Sequence, residues 1–203
     1  MGRNKEINEQ MKDERKEQIF SSALKLFARR GLSATKISDI ATAAGFSQGL
    51  IYHYFKSKDE IYIQLIKMAF AKLNSAAKQL DALDLPPLQK IKLAYQSLMQ
   101  GLVTNEDASL THLLIATAAA SDSVPVKAKQ IIQEQYFFPY QVMTRIIKAG
   151  QKTGSINNKN PKELALLFWS TIRGLSIYRA VHTESFLVPD VDIILEMFKH
   201  KEK

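Results

Sequence analysis

The chain has 203 residues, 46% hydrophobic and 24% charged, which is typical of a folded protein with one large domain or two small ones. It has no cysteine, which excludes disulfides, thiol nucleophiles and cysteine metal sites. The net charge of +8 favours a nucleic acid or an anionic membrane surface as partner. The N-terminal residues are polar and charged, and no uncharged run reaches the roughly 20 residues of a membrane span. We therefore expect a cytoplasmic protein without a secretory signal.

Apolar residues recur at helical spacing along the chain. No segment of strand length alternates between apolar and polar residues. The amphipathic segment 13–31 ends at a glycine, as helices often do. Two short helices are predicted next, over residues 35–45 with Thr35 as the cap, and over residues 47–55. The fold class is therefore predicted to be all-α.

The fourth helix has the clearest predicted start. Ser57 and Glu60 have the spacing of a capping box, and apolar residues continue to about Leu80. A proline-containing break follows, and Pro139 is predicted to kink one of the later helices. Those later helices are predicted at 88–103, 107–121, 124–151, 161–183 and 189–200.

The predicted helices divide into two groups. A compact three-helix unit ends near Phe55, and a larger helical unit follows without a flexible linker. We expect a domain over residues 1–56 that carries the helix-turn-helix described below, and a second domain over residues 57–203.

Positive charge is concentrated near the N-terminus. Between Lys25 and Lys58 there are six basic residues and one acid, Asp39, which accounts for +5 of the total charge of +8. This concentration favours a nucleic-acid contact in the first domain. The alternative is a basic surface that only faces solvent.

The junction of the two short helices, in IATAAGFSQGLIYHYFKSKDEI, is typical of a helix-turn-helix. Ala41 allows close helix approach, and Gly45, four residues later, permits a positive φ angle at the turn. The next helix opens with Ser47, Gln48 and Gly49. Short polar side chains there can reach base edges in the major groove, where a glutamine can form a bidentate pair with adenine.

Aromatic and basic side chains surround this second helix. Tyr52 and Tyr54 can donate to phosphate oxygens or contact thymine methyl groups, and Lys36 and Lys58 can contact phosphates. The alternative is an ordinary helical hairpin in a core, because A-x-x-x-G alone is not specific to DNA-binding proteins.

The segments LFARRG, TKISDIATAAG and GLIYHYFKSK resemble the N-terminal domain of the tetracycline-repressor (TetR) family of bacterial regulators over about residues 15–65. The resemblance implies about nine helices, a helix-turn-helix domain followed by a ligand-binding and dimerisation domain, and a homodimer on a palindromic operator. The last two helices would form the dimer. The positions that would approach DNA are Thr35, Lys36, Ser38, Ser47, Gln48, Gly49, Tyr52, His53, Tyr54 and Lys58.

A ligand pocket is expected in the second domain, where polar or aromatic groups stand on apolar helices. An unpaired imidazole at His112, within SLTHLLIATAAA, would be costly to bury. Core packing is the competing explanation for each of these residues. The candidates are Tyr95, Met99, His112, Phe138, Tyr140, Met143, Trp169 and Arg173.

These features predict a ligand-responsive transcriptional repressor that a small hydrophobic or amphipathic effector releases from double-stranded DNA, with no cofactor, metal or membrane partner. An enzyme is the first alternative, but there is no phosphate-binding glycine loop, no nucleophile elbow and no metal spacing among the four histidines. The second alternative is a DNA-binding protein of this fold that responds to a protein partner instead of a small molecule.

Overall fold

The computed structural model describes residues 2–183 and 186–200, and these residues form ten α-helices and no strand. The all-α prediction is therefore confirmed for the described residues. None of the described helices is long and apolar enough to cross a membrane. The helices are α1 Gly2–Arg30, α2 Ile37–Ala44, α3 Gln48–Tyr54, α4 Lys58–Ala82, α5 Pro87–Thr104, α6 Glu106–Ala120, α7 Val126–Gln135, α8 Phe138–Lys152, α9 Pro161–Val181 and α10 Val191–Leu195.

The predicted kinked helix over residues 124–151 is wrong, because two helices, α7 and α8, occupy this stretch. Helix α7 ends at Gln135 and α8 begins at Phe138, so Pro139 lies in the first turn of α8. A proline at that position loses no helical hydrogen bond, since the first N–H groups of a helix have no partner inside it. The Pro139 carbonyl instead accepts a hydrogen bond from Trp169 Nε1 at 3.1 Å.

The predicted final helix over residues 189–200 is also too long, since α10 covers only Val191–Leu195. Beyond α10 the backbone carbonyls bond to a distant residue. The Asn157 side chain donates to Met197 O at 2.8 Å and to Lys199 O at 3.0 Å. The Asn157 N–H also donates to Phe198 O at 2.8 Å. Within the segment itself, the Phe198 and Lys199 N–H groups donate to Leu195 O at 2.9 Å and 3.2 Å.

The start of α4 confirms one half of the predicted capping box. Ser57 Oγ accepts from the Glu60 N–H at 3.2 Å. The Glu60 carboxylate reaches one residue further back than predicted and accepts from the Lys56 N–H at 2.7 Å. Both bonds satisfy backbone donors at the junction of α3 and α4.

The described residues form two compact units. The first contains the residues up to Met68 together with Leu113–Ile132. Its helix-turn-helix part is held by apolar side chains of α1 to α4, which are almost completely buried. The main ones are Ile19, Ala23, Phe27, Ile40, Ala41, Ala44, Ile51, Phe55, Ile61 and Ile66.

The second unit contains Ala69–His112 and the described residues from Gln133 onward. Helices α5, α8, α9 and α10 contact one another around its core. Buried aliphatic and aromatic residues from all four helices fill this core. They include Ile91, Tyr95, Met99, Val142, Met143, Ile146, Leu164, Phe168, Trp169, Ile172 and Leu195.

Candidate functional site

The turn between α2 and α3 has the geometry that the glycine was predicted to allow. Gly45 has φ 70° and ψ 28°, the left-handed conformation that glycine adopts without a Cβ penalty. The Phe46 N–H donates to Ala41 O at 2.9 Å, which closes the end of α2. The Gln18 side chain, from α1, donates to the Ala44 carbonyl at 3.0 Å. The turn is thus held both by a backbone hydrogen bond to α2 and by a side chain from α1.

Helix α3 is short, and its ends and one face are anchored. Ser47 caps its start, since Ser47 Oγ accepts from the Leu50 N–H at 3.2 Å. Ile51 is completely buried, and Phe55 packs edge-to-face on Phe20 with ring centroids 5.1 Å apart. These contacts orient the opposite face of α3 toward solvent.

That opposite face carries most of the residues predicted to contact base edges. Ser47, Gln48, Gly49, Tyr52 and His53 are all exposed, and we call these five the recognition face. The Tyr52 side chain is 55% exposed, high for an aromatic residue. A Cβ on Gly49 would meet only Ser47 Oγ, at 3.9 Å, so the backbone can approach a partner closely. Exposed polar groups beside an exposed ring suit contact with a partner better than burial in a core.

The flanking predicted residues are partly engaged. Tyr54 is half-buried and packs edge-to-face on His53, with centroids 5.3 Å apart. Lys36 is exposed at the start of α2, and its N–H donates to Asp39 Oδ2 at 2.9 Å. This carboxylate therefore caps the start of α2. Ser38, in the first turn, is half-buried.

Two predicted residues have their side-chain polar groups turned to the protein. Thr35 is completely buried, and its hydroxyl donates to Gly31 O at 2.8 Å, so it does not cap α2, where Lys36 occupies the cap position. Lys58 Nζ donates to Leu32 O at 2.8 Å, to Thr35 O at 2.9 Å and to Ser33 O at 3.4 Å. Lys58 thus ties α4 to the α1–α2 loop.

Three further cations of the first unit are exposed. They are Arg30 at the end of α1, Lys36 at the start of α2 and Lys56 just after α3. Exposed cations of this kind can contact phosphates without specifying sequence. Lys56 was absent from the predicted DNA-binding residues, although its place in the basic segment could have indicated it.

The structure brings most of the predicted ligand-binding residues into one cluster. Tyr95, Met99, Met143 and Trp169 are buried in the core of the second unit, and Phe138 and Tyr140 pack against them. Tyr95 Oη donates to Pro189 O at 2.8 Å, so its polar atom is satisfied within the protein. Burial also raises the pKa of Tyr95, with the charge of Asp190 as a smaller cause.

A polar group of four residues lies beside this core. Arg173 donates to the Tyr136 hydroxyl and, at 3.1 Å, to the Tyr140 hydroxyl. The pKa of His112 is lowered to about 4, mainly by burial and secondly by the charge of Arg173. Tyr136 was absent from the predicted ligand-binding residues, although its spacing of four from Tyr140 could have indicated it. We call Arg173, Tyr136, Tyr140 and His112 the arginine cluster.

A family comparison matches residues 19–65 to the model described as "Bacterial regulatory proteins, tetR family". This match covers the whole helix-turn-helix and the start of α4. Among curated proteins, the HTH-type transcriptional repressor KstR2 of Rhodococcus jostii strain RHA1 is 26% identical over 174 residues, which are 80% of each chain.

Solved structures extend the likeness of fold to nearly the full length. The regulator MbdR from Azoarcus sp. CIB gives a TM-score of 0.76 at 22% identity, covering 90% of this chain and 95% of that one. The transcriptional regulator FadR from Bacillus subtilis, solved in complex with stearoyl-CoA, gives 0.66 at 21% identity, covering 89% and 95%.

An all-α chain with an ordered helix-turn-helix and an exposed polar face on its second helix defines a helix-turn-helix regulator. Residues 19–65 match the N-terminal domain of the TetR family, and the similar curated and solved proteins are transcriptional regulators.

Proposed function

We propose that this protein binds a palindromic DNA operator as a homodimer and represses transcription until a small hydrophobic or amphipathic effector releases it. The observation that carries the proposal is the recognition face of α3. It is polar and solvent-exposed, and its helix is fixed by a left-handed glycine turn and by the buried Ile51. Curated repressors with related sequences support the same function.

In the proposed complex, α3 lies in the major groove. Gln48, in the first turn of α3, pairs with an adenine, while Tyr52 contacts a phosphate or a thymine methyl group. Exposed Arg30, Lys36 and Lys56 contact phosphates and set the salt dependence of binding. Thr35 and Lys58 would act through the positions of their neighbours, because their side chains bond within the protein.

Replacing Gln48 by alanine is expected to weaken operator binding by about 10- to 100-fold, since a bidentate base contact is worth roughly 1–3 kcal/mol. Binding to scrambled DNA should change little, because that binding depends on phosphates. Fluorescence anisotropy with the DNA upstream of the gene measures both affinities. Gln130→Ala is the matched control, since Gln130 is exposed on α7, away from the recognition face. Equal loss on operator and scrambled DNA would contradict base recognition by Gln48.

The proposed dimer surface is the exposed side of α9. Leu166 and Leu167 are 53% and 51% exposed, and Tyr178 and Val181 are 46% and 63% exposed on the same helix. Gly174, between them, has no atom within 4 Å of a Cβ position, so a partner helix could approach closely. Such an apolar face on one helix is typical of a surface that a second protein covers. The neighbouring α10 is too short to supply the second long interface helix that was expected.

Replacing Leu167 by glutamate should convert the dimer to monomer, because each two-fold interface would bury two new unpaired carboxylates. Light scattering after gel filtration measures the mass. Val126→Glu is the control, since Val126 is an equally apolar and more exposed residue, at 72%, on α7. A variant that remains dimeric at the concentrations used for the wild type would refute an interface through α9.

Release by an effector requires a link between ligand and DNA affinity. We propose that α4 provides this link, because it starts at the helix-turn-helix and continues through Ala82 into the second unit. A nearly complete switch between DNA-bound and released forms requires the effector to favour one arrangement by roughly 5 kcal/mol. Repositioning α4 would change the separation of the two recognition helices in the dimer, which must match half-sites about 34 Å apart.

A further inference from the structure

The position of Arg173 is unusual for a charged residue of α9. Arg173 is half-buried, while its neighbours Trp169 and Ile172 are in the core. Its guanidinium carbon lies 4.7 Å from the centroid of the Tyr136 ring, and Tyr136 stacks on Tyr140 with centroids 5.7 Å apart. The cation is therefore held against aromatic faces and away from bulk water on at least one side.

Among residues 9–183 and 186–200, whose side chains the structure describes, no carboxylate forms an ion pair with Arg173. Its hydrogen-bond acceptors are the neutral hydroxyls of Tyr136 and Tyr140. By contrast, Arg145, on α8, has its own carboxylate partner, Asp81, at 2.6 Å. A partly desolvated guanidinium without a counter-ion is costly, so the described structure leaves a charge that an anion could compensate.

The hydrogen-bonding groups of the arginine cluster also favour an anion. A guanidinium offers five N–H donors and no acceptor. The hydroxyls of Tyr136 and Tyr140 also hydrogen-bond to each other, which leaves one hydroxyl proton of the pair to donate. The hydrogen bonds to Tyr136 and Tyr140 use only part of the five donors of Arg173. The cluster thus has more donors than acceptors, which matches a carboxylate, a group of acceptors only when ionised.

His112 adds no competing charge at neutral pH. Burial and the nearby Arg173 lower its pKa to about 4, so its imidazole is neutral and can also donate a hydrogen bond. The surroundings beyond the cluster are apolar. Trp169 lies 5.9 Å from Tyr140 between ring centroids, and Phe168 packs on Trp169 at 5.4 Å.

We propose that Arg173, together with the hydroxyls of Tyr136 and Tyr140, binds the carboxylate of an otherwise apolar organic acid, and that such an acid is the effector. This inference rests on the proposed function, since it names the chemical class of the ligand that releases the repressor. The guanidinium fixes the acidic end, and the aromatic side chains next to it contact the apolar part. A neutral or cationic ligand with the same apolar part is disfavoured at this site.

Trp169 is the only tryptophan of the chain, so its fluorescence reports on this cluster. The experiment titrates the full-length protein with hexanoate, decanoate, palmitate and 4-phenylbutyrate, each compared with the alcohol of the same apolar part. At least one acid is expected to bind about tenfold or more tightly than its alcohol, as a charge-assisted hydrogen-bond pair requires. Alcohols that bind as tightly as the acids, or a complete lack of response to the acids, would overturn the proposal.

Substitutions test whether the preference for the acid over its alcohol arises from the arginine cluster. Arg173→Gln should abolish the preference for the acid, and Tyr136→Phe, which keeps the aromatic ring, should reduce it. Arg145→Gln is the matched control on α8 and should preserve it. An Arg173→Gln protein that still prefers the acid would overturn the assignment. Anisotropy on operator DNA without acid tests the proposed function separately, because failure to bind DNA leaves the titration result valid, and the reverse also holds.

Discussion

Replacing Lys58 by methionine is expected to lower the free energy of unfolding by about 2 kcal/mol, or the Tm by roughly 5 °C. The ammonium group of Lys58 donates to the carbonyls of Leu32, Ser33 and Thr35, which lie between α1 and α2. Methionine keeps the apolar stem and leaves these carbonyls without their donor. Chemical denaturation and thermal melting measure the loss.

Lys56→Met is the matched control, because Lys56 is an exposed lysine two positions earlier. That variant should change the unfolding free energy by less than about 0.5 kcal/mol. Comparing the two variants also distinguishes a stabilising role of Lys58 from a role in contacting DNA. A lysine whose main role is to contact a DNA phosphate would leave stability intact and lower the salt slope of binding by about one. That outcome for Lys58→Met would contradict its role as a link between α4 and the α1–α2 loop.

Acid is expected to destabilise the protein by roughly 2 kcal/mol through His112 alone between pH 7 and pH 4.5. The folded-state pKa of His112 is lowered from 6.5 to about 4 by burial and, less strongly, by Arg173. Below pH 6.5 the unfolded chain therefore binds a proton that the folded chain does not. Stability is present above this pH and is lost as pH falls toward 4.

Denaturant unfolding of the wild type and of His112→Asn at both pH values measures this contribution, since the asparagine variant lacks it. Carboxylates also titrate in this range, so the difference between the two proteins is the relevant quantity. An NMR titration of the His112 ring gives its pKa directly, and Arg173→Gln should raise that pKa. A folded-state midpoint near the ordinary value of 6.5 would contradict the burial of His112 beside a cation.

The local features of the fold were predictable because adjacent residues encode them. Ser57 caps α4, and Asn160 caps α9 by accepting from the Lys162 N–H at 3.0 Å. Gly45 has the positive φ that its position between two short helices required. Each of these features depends on a few consecutive residues, so its chemistry is visible in the sequence.

The features that were predicted wrongly depend on distant partners. The residues that follow α10 are held by Asn157, about forty residues earlier, which donates to Met197 O and Lys199 O. Pro139 was expected in the middle of one long helix, but a new helix starts at Phe138. The Pro139 carbonyl accepts a hydrogen bond from Trp169 Nε1, thirty residues later. Helical periodicity does not contain this information, because the same apolar pattern fits one long helix or two short ones.

In the candidate sites too, features set by adjacent residues were predictable, and contacts between distant segments were not. Gln48, Tyr52 and His53 were predicted to face a partner because they follow the turn at Gly45 within one short segment, and all three are exposed. The burial of Thr35 and the three carbonyl contacts of Lys58 follow from how α4 meets the α1–α2 loop, which no local motif describes. The pairing of Arg173 with Tyr136 likewise joins two segments that are far apart in the chain.

The most direct test of the central claim is fluorescence anisotropy of the wild-type protein on the DNA upstream of its gene and on scrambled DNA of equal length, at several salt concentrations. We expect binding that prefers the upstream DNA and weakens steeply with salt, as phosphate contacts require. The same complex should dissociate when an effector is added. If the protein binds no duplex even at low salt, then the recognition face of α3 does not bind DNA, and the account is wrong.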